Sequence, residues 1–339
     1  MGYGNKDREV YRAFIDDDDG GGASRGGTGS SSGFRTSSKA TSDLARSTGD
    51  PLMLPKDRTL VCTAEVPIVV IGDSTGSMGD SARVVHDKRP LLWGQIEHHG
   101  YLADPAMSIA VVGDHTDNQW PFQVSDFEND PAKIDEWMKR CFLEGGGGGT
   151  MHESYLEIAF YYSRAVEWKA RKGRKGYLFM IGDEAPYAKV TPAVAKKHFG
   201  IALDESISAE EVMKELRKRF HVFFLQVPYN GGKDPGATQE VTEAWKPLLS
   251  QSVISLTEPN SVVDVMLGLI ATIEGVRTLD SYDRDMEERN QTAARRKNVR
   301  GAIEAASTAL AVRSKGGSAS NLPVVVRGKD RRGKGNRLD

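Results

Sequence analysis

Asp73, Thr75 and Ser77 are spaced by two along GDSTGSMG, a turn that follows the apolar run PIVVIG at 67–72. One carboxylate and two hydroxyls at that spacing can converge on one point, and Gly76 permits the tight bend between them. Hard oxygen donors of this kind suit Mg2+, Mn2+ or Ca2+. They do not suit Zn2+, which calls for a Cys/His cluster; the two cysteines, Cys62 and Cys141, form no CxxC motif. Two more oxygen-bearing residues stand at comparable turns. Thr150 closes the five-glycine run 145–149, and Asp183 follows the apolar run 177–181 in IGDEAP.

The surrounding elements place these turns together. Branched-apolar runs near residues 67, 107, 177, 221 and 253 read as strands, separated by stretches with helical spacing. That alternation predicts an α/β fold, a doubly wound, mostly parallel central sheet flanked by helices. Ligands of open parallel sheets gather outside the carboxyl ends of the strands, where the 73–77, 150 and 183 turns would all lie. A short edge strand is expected at 120–124. Helices are expected at 81–99 with a kink or start at Pro90, from Pro131 to Cys141, over 151–168, after the Ser208/Glu211 capping box, at 237–250 and at 261–274. Thr150 with Glu153 forms a second capping-box pattern, and Trp93, Tyr155, Phe160 and Tyr161 are read as core.

The stretch VVIGDSTGSMG resembles the first motif of von Willebrand factor A (vWA) domains, Asp-x-Ser/Thr-Gly-Ser, which opens a metal-ion-dependent adhesion site. The resemblance runs from about 61 to 275 and takes in the GGGGGT turn and IGDEAP. It implies that Asp73, Thr75 and Ser77 hold the cation directly or through water, Thr150 supplies a second-loop oxygen and Asp183 a third-loop carboxylate. It further implies Mg2+, with Mn2+ or Ca2+ as alternatives, and a non-enzymatic binding module whose open metal position accepts an Asp or Glu of a partner protein. A MoxR-like AAA+ ATPase is one such partner by resemblance. The family's third loop often reads Asp-Gly; here Glu184 follows Asp183, adding negative charge. Asp117, His115, Glu184 and His152 are expected on the partner-binding face, and Asp114 and Thr116 share the loop of the first two.

Other chemistries fit less well. Gly72-Asp73-Ser74-Thr75-Gly76 satisfies GxSxG, so Ser74 is a candidate serine-hydrolase nucleophile, but no HGGG loop or late Asp-x-x-His supports it. A dehalogenase-type phosphatase needs a second Asp where Thr75 stands, and no P-loop pattern occurs. The last 27 residues carry eight Lys or Arg against two Asp, a basic tail without interleaved aromatics, so nucleic-acid association through it is only an alternative. Residues 1–53 are rich in Gly, Ser and Thr and are expected to form a tail. The vWA-like domain is expected over 54–275, a charged helical extension over 276–313 and the basic tail over 314–339. No apolar leader or 18-residue apolar span is present, so the expected location is cytoplasmic, away from membranes.

Overall fold

The computed structural model describes residues 48–146, 151–170 and 173–316, with side chains in the final helix as far as Ala306. Residues 1–47, Thr150 and the basic tail from 317 onward lie outside the described residues. In chain order the principal elements are β1 (Leu60–Cys62), β2 (Val66–Asp73), α1 (Asp80–Asp87), α2 (Arg89–His99), β3 (Pro105–Val112), β4 (Phe122–Val124) and α3 (Pro131–Arg140). Then follow β5 (His152–Glu153), α4 (Tyr155–Arg164), β6 (Val166–Trp168), β7 (Gly176–Gly182), β8 (Ala185–Pro186), β9 (Lys189–Val190), β10 (Ile207–Ser208) and α5 (Ala209–Arg219). The last are β11 (Phe220–Gln226), α6 (Pro235–Leu249), β12 (Val253–Ser255), α7 (Val262–Ile273), α8 (Leu279–Glu288) and α9 (Ala293–Gly316).

The architecture is mixed α/β, a six-stranded sheet in the order β12-β11-β7-β2-β3-β4 with helices on both faces. Pairings across the sheet are parallel except for β4, which runs antiparallel on β3. Every residue of β2 is buried, as a central strand covered on both sides requires. Strand alternation divides its side chains. Ile68 and Val70 join the layer under α1, α2, α3 and α7, while Val69 and Ile71 join the layer under α4, α5 and α6. The register sets Asp73 opposite Val112, Gly72 opposite Ile181 and Gln226 opposite Gly182, so the turns that follow these strands emerge at one edge.

Local signals account for the helix ends. Pro90 sits in the first turn of α2, which stops at Gly100 in the left-handed region, φ 61°. The Ser208/Glu211 capping box forms with both of its bonds. The helix expected over 151–168 is shorter. It runs only from Tyr155 to Arg164, and Val166–Trp168 instead pairs in parallel with Leu60–Cys62. The Thr150/Glu153 capping box is likewise overturned, since Glu153 belongs to β5, paired with Pro186 of β8, and Ser154 is the N-cap of α4.

The charged segment near the C-terminus forms two helices that pack on the sheet's own core. Tyr282, Met286, Val299, Ile303 and Ala306 are buried in the same cluster as Ile68 and Val70. Polar pairs fix the contact: Arg277 Nε lies 2.7 Å from Asp285, Tyr101 Oη donates to Asp285 at 2.6 Å, and Arg289 Nη2 lies 2.9 Å from buried Asp264. Gly268 of α7 makes this packing possible, because a Cβ there would stand 2.2 Å from Ile303 Cδ1 and 2.6 Å from Tyr282 Cε1. Gly268→Ala is therefore expected to destabilise the chain by about 1–3 kcal/mol through overpacking. Urea unfolding checks the energy, and faster limited proteolysis within 276–316 checks the location. Among the described residues no helix is long and apolar enough to cross a membrane.

Candidate metal centre

Asp73 is the last residue of β2 and is 1 % exposed, so its carboxylate needs partners within the fold. The turn supplies some: the Thr75 backbone N–H and hydroxyl donate to Oδ1 at 2.7 and 2.6 Å. Tyr155, at the start of α4, donates its hydroxyl to Oδ2 at 2.6 Å. Thr75 Oγ1 lies 3.2 Å from Ser77 Oγ, and Ser77 Oγ donates to Asp183 Oδ1 at 2.9 Å. The Asn230 N–H donates to the other Asp183 oxygen at 3.2 Å, from a residue whose φ of 48° aims that N–H at the site. The structure thus brings Asp73, Thr75, Ser77 and Asp183 into one hydrogen-bonded chain. Thr150 is outside the described residues.

Tyr155 was expected to be core, and its ring is buried against Phe224 and Trp245. Its hydroxyl nevertheless touches the site because Gly182 has no side chain. A Cβ at Gly182 would fall 1.5 Å from that hydroxyl and 2.9 Å from Asp73 Cβ.

Around this chain the fold buries further carboxyls. Asp114, Glu153, Asp183 and Glu184 are each 0 % exposed. Both oxygens of Glu184 and Oε2 of Glu153 have no hydrogen-bond partner among the described residues. Burial pushes the Glu184 carboxyl up to about 8, with the charges of Asp73 and Asp183 adding to it. Burial and Asp73 likewise push Asp183 up to about 7. Glu153 is held well above the ordinary carboxylate range by burial and by Asp73. Burial also raises Asp73, against the hydrogen bonds from Thr75 and Tyr155 that favour its charged form. No Lys or Arg contributes among the main causes of any of these four shifts. Among the described residues the centre gathers acidic side chains without a Lys or Arg as a leading influence on them.

Among the described residues no three His, Cys, Asp or Glu side chains close on one point as a ready cation cage. The converging oxygens are two carboxylates and two hydroxyls, a mixture that fits a hard cation keeping some of its waters.

The residues expected on the partner face separate into two groups. Asp117 and His152 are exposed and His115 is half-buried. Tyr187 stands between the histidines, its ring 4.9 Å from His115 and 5.6 Å from His152. His115 Nδ1 lies 2.9 Å from Ser154 Oγ, and Tyr187 donates to Asp114 at 2.9 Å. Glu184 is not on that face. It points inward, its backbone carbonyl accepting from Trp245 Nε1 at 3.0 Å while its carboxyl is buried. Ser74 is 2 % exposed and its hydroxyl donates to the Val112 carbonyl at 3.2 Å, an arrangement that offers no activated nucleophile.

No family model matches the chain, and no curated protein matches it. Among solved structures it has a distant similarity to bacterial pilus adhesins. The open conformation of the pilus adhesin SpaC from Lactobacillus rhamnosus GG gives a TM-score of 0.44 at 10 % identity, covering 64 % of this chain and 31 % of the adhesin. Proximal thread matrix protein 1 from the mussel byssus gives 0.41 at 10 %, covering 63 % and 48 %. The conserved hypothetical protein BatB from Bacteroides thetaiotaomicron gives 0.37 at 14 %, covering 62 % and 100 %. The chain spans about a third of the length of the pilus adhesin it matches.

Proposed function

We propose that this chain is a vWA-like, Rossmann-like protein-binding module in which Asp73, Thr75, Ser77 and Asp183, together with Thr150, hold one divalent cation. Mg2+ is the preferred ion, with Mn2+ or Ca2+ as alternatives. A position on the cation left open by these residues accepts an Asp or Glu carboxylate from a partner protein. The observation that carries the reading is the hydrogen-bonded set of oxygens from two turns, Asp73–Thr75–Ser77–Asp183, embedded among buried carboxyls with unpartnered oxygens. Those orphaned oxygens and the hard-oxygen donor set fit a divalent cation. When bound, it supplies the positive charge that ionised Asp73 and Asp183 lack in the fold. His115, Tyr187, His152 and Asp117 form the rim against which the partner's flanking residues would lie. A large machine of the MoxR-like AAA+ class is the kind of partner that the sequence resemblance suggests.

Affinity capture with the full chain tests this directly. Capture is expected in Mg2+ and lost in EDTA and in Ser77→Ala, and converting one acidic residue of the captured protein to its amide should abolish it. Equal capture in EDTA would overturn the reading. Tyr155 serves as a positioning residue in this scheme. Tyr155→Phe keeps the ring packing but frees Asp73 Oδ2, and loss of such an outer partner weakens metal affinity by about 10- to 100-fold. A Mn2+ titration of the variant against the unaltered chain measures that ratio.

A further inference from the structure

Beside the rim of the candidate metal centre, the short helix Pro192–Val194 runs into a π-helical turn, Ala195–Phe199. We propose that the basic ridge on this turn, Lys196, Lys197 and His198 together with Lys56, is a second contact for the partner, so that the partner's metal-binding carboxylate belongs to an acidic run instead of standing alone; this rests on the cation reading given above.

Packing fixes the ridge in place. Ala195 and Phe199 are buried one turn apart, which leaves Lys196 and Lys197 on the outer side, both exposed. Phe199 stacks on Tyr161 of α4 with ring centroids 5.3 Å apart, and its carbonyl accepts from the Asp57 N–H at 3.1 Å, which brings Lys56 to the turn. Asp57 itself turns its carboxylate onto Gly200, where a Cβ would stand 1.8 Å from Oδ1. His198 meets Phe122 edge-on at 5.1 Å, and Phe122 stands opposite Val112 at the carboxyl end of β3, so the ridge lies at the site edge of the sheet. Burial holds the imidazole of His198 down to about 4 and that of His115 below its usual range. Lys197 pushes both the same way, Lys56 adds to it at His198, and Asp114 opposes it at His115. Lys197 is thus close enough to act on two rings, one on the ridge and one on the rim. From His115 the contacts continue to Tyr187 and His152, and through Ser154 to α4, whose first residue, Tyr155, donates to Asp73.

Charge names the occupant. Lys196 and Lys197 have no acidic partner among the described residues, so an anchored turn presents two charges that the fold does not use. Across the mouth the sign reverses. Asp117 is exposed on the His115 loop and lies near Glu144, which accepts from the Gln119 and Trp120 N–H groups at 2.8 and 2.9 Å. A protein segment with several neighbouring Asp or Glu fits this polarity, because one carboxylate can reach the cation while the next ones run toward the ridge and away from Asp117. An extended segment advances about 3.3 Å per residue, so acids within a few positions of the metal-bound one cover the rim. A nucleic-acid strand carries charge at every phosphate and would meet Asp117 and Glu144 as it crossed the mouth.

Fluorescence anisotropy with the full-length chain tests the proposal, using three labelled probes: a peptide of ten glutamates, a Gly/Ser peptide of the same length with one glutamate, and a single-stranded deoxythymidine ten-mer. In Mg2+ the polyglutamate is expected to bind more tightly than the single-glutamate peptide. Lys196→Gln with Lys197→Gln should weaken the polyglutamate by about 10-fold, leave the single-glutamate peptide unchanged, and lose most of its effect in 1 M salt, where charges are screened within about 3 Å. EDTA and Ser77→Ala should abolish binding of both peptides. Both lysines are exposed, and calorimetric Mg2+ uptake by the double variant shows that its fold and centre are intact. If the unaltered chain takes up Mg2+ but does not bind polyglutamate, or if the double variant binds it equally well, the ridge proposal is wrong and the cation reading survives. If the unaltered chain takes up no Mg2+, both fall. Polyglutamate binding that persists in EDTA and in Ser77→Ala shows a general anion patch and overturns the joint contact. Ridge-dependent binding of the deoxythymidine ten-mer as tight as that of polyglutamate would overturn the assignment to an acidic protein segment.

Discussion

Asp73→Ala is expected to remove divalent-cation binding outright while leaving the chain folded. Asp73 is the carboxylate around which the other donors are ordered, since Thr75 and Tyr155 donate to its two oxygens and Thr75 leads on to Ser77 and Asp183. On the proposed reading its loss deletes a ligand, and it frees the hydroxyls that Asp73 holds in place. The apo fold has little to lose. Asp73 raises the proton affinity of Glu153, Asp183 and Glu184, so removing it relieves repulsion among buried acids and offsets the hydrogen bonds forfeited. Ligand linkage amplifies the contrast: a cation at 100 times its dissociation constant stabilises the native state by about 2.7 kcal/mol. Thermal unfolding in Mg2+ and in EDTA should therefore give separated midpoints for the native chain and coincident ones for Asp73→Ala.

The second large effect is on the pH dependence of stability in the absence of metal. Glu184 and Glu157 are held near 8 and Asp183 near 7, chiefly by burial, whereas unfolded carboxyls titrate near 4. Between those limits the folded chain holds more protons than the unfolded one, so stability falls as pH rises. The contribution of these acids is complete below about pH 4 and is progressively lost up to about pH 8. Each tenfold difference in proton affinity between the folded and unfolded chain is worth about 1.4 kcal/mol, so the loss is on the order of a few kcal/mol for any one of these acids taken alone. A cation held as proposed would favour the ionised forms of the acids around it, so the stabilisation that Mg2+ adds is expected to grow over the same interval. Urea unfolding in EDTA at pH 5, 6, 7 and 8, repeated in Mg2+, measures both trends. A metal-free chain that gains stability across this range would contradict the buried-acid description.

The parts of this site that the sequence made legible are local. Asp73, Thr75 and Ser77 lie within one turn, and the uninterrupted branched run before them reads directly as a strand covered on both faces. Asp183 was legible because it ends another such run. Tyr155 was not, since an aromatic residue entering an amphipathic helix reads as core. Its contact with Asp73 depends on the missing side chain of Gly182 on a different strand. Glu184 reversed its expected direction for a similar reason. Sequence adjacency to Asp183 does not say which way a carboxyl points; Glu184 is buried, its backbone carbonyl held by Trp245 just before β8. The helix expected through Trp168 ended early because Val166–Trp168 found a parallel partner in β1, a pairing between distant segments. The docking of α8 and α9 was obscured by charge. Tyr282 with Met286 and Val299 with Ile303 are sparse apolar pairs, and the arginines around them find buried acids on α7 and α8.

Calorimetric titration of Mn2+ or Mg2+ into the full-length chain tests the proposed metal centre most directly. Saturable binding of one ion per chain, absent from Asp73→Ala, is the expected result. A folded chain that takes up no ion at concentrations up to about 10 mM, beyond the weak end of protein sites for hard cations, would contradict it.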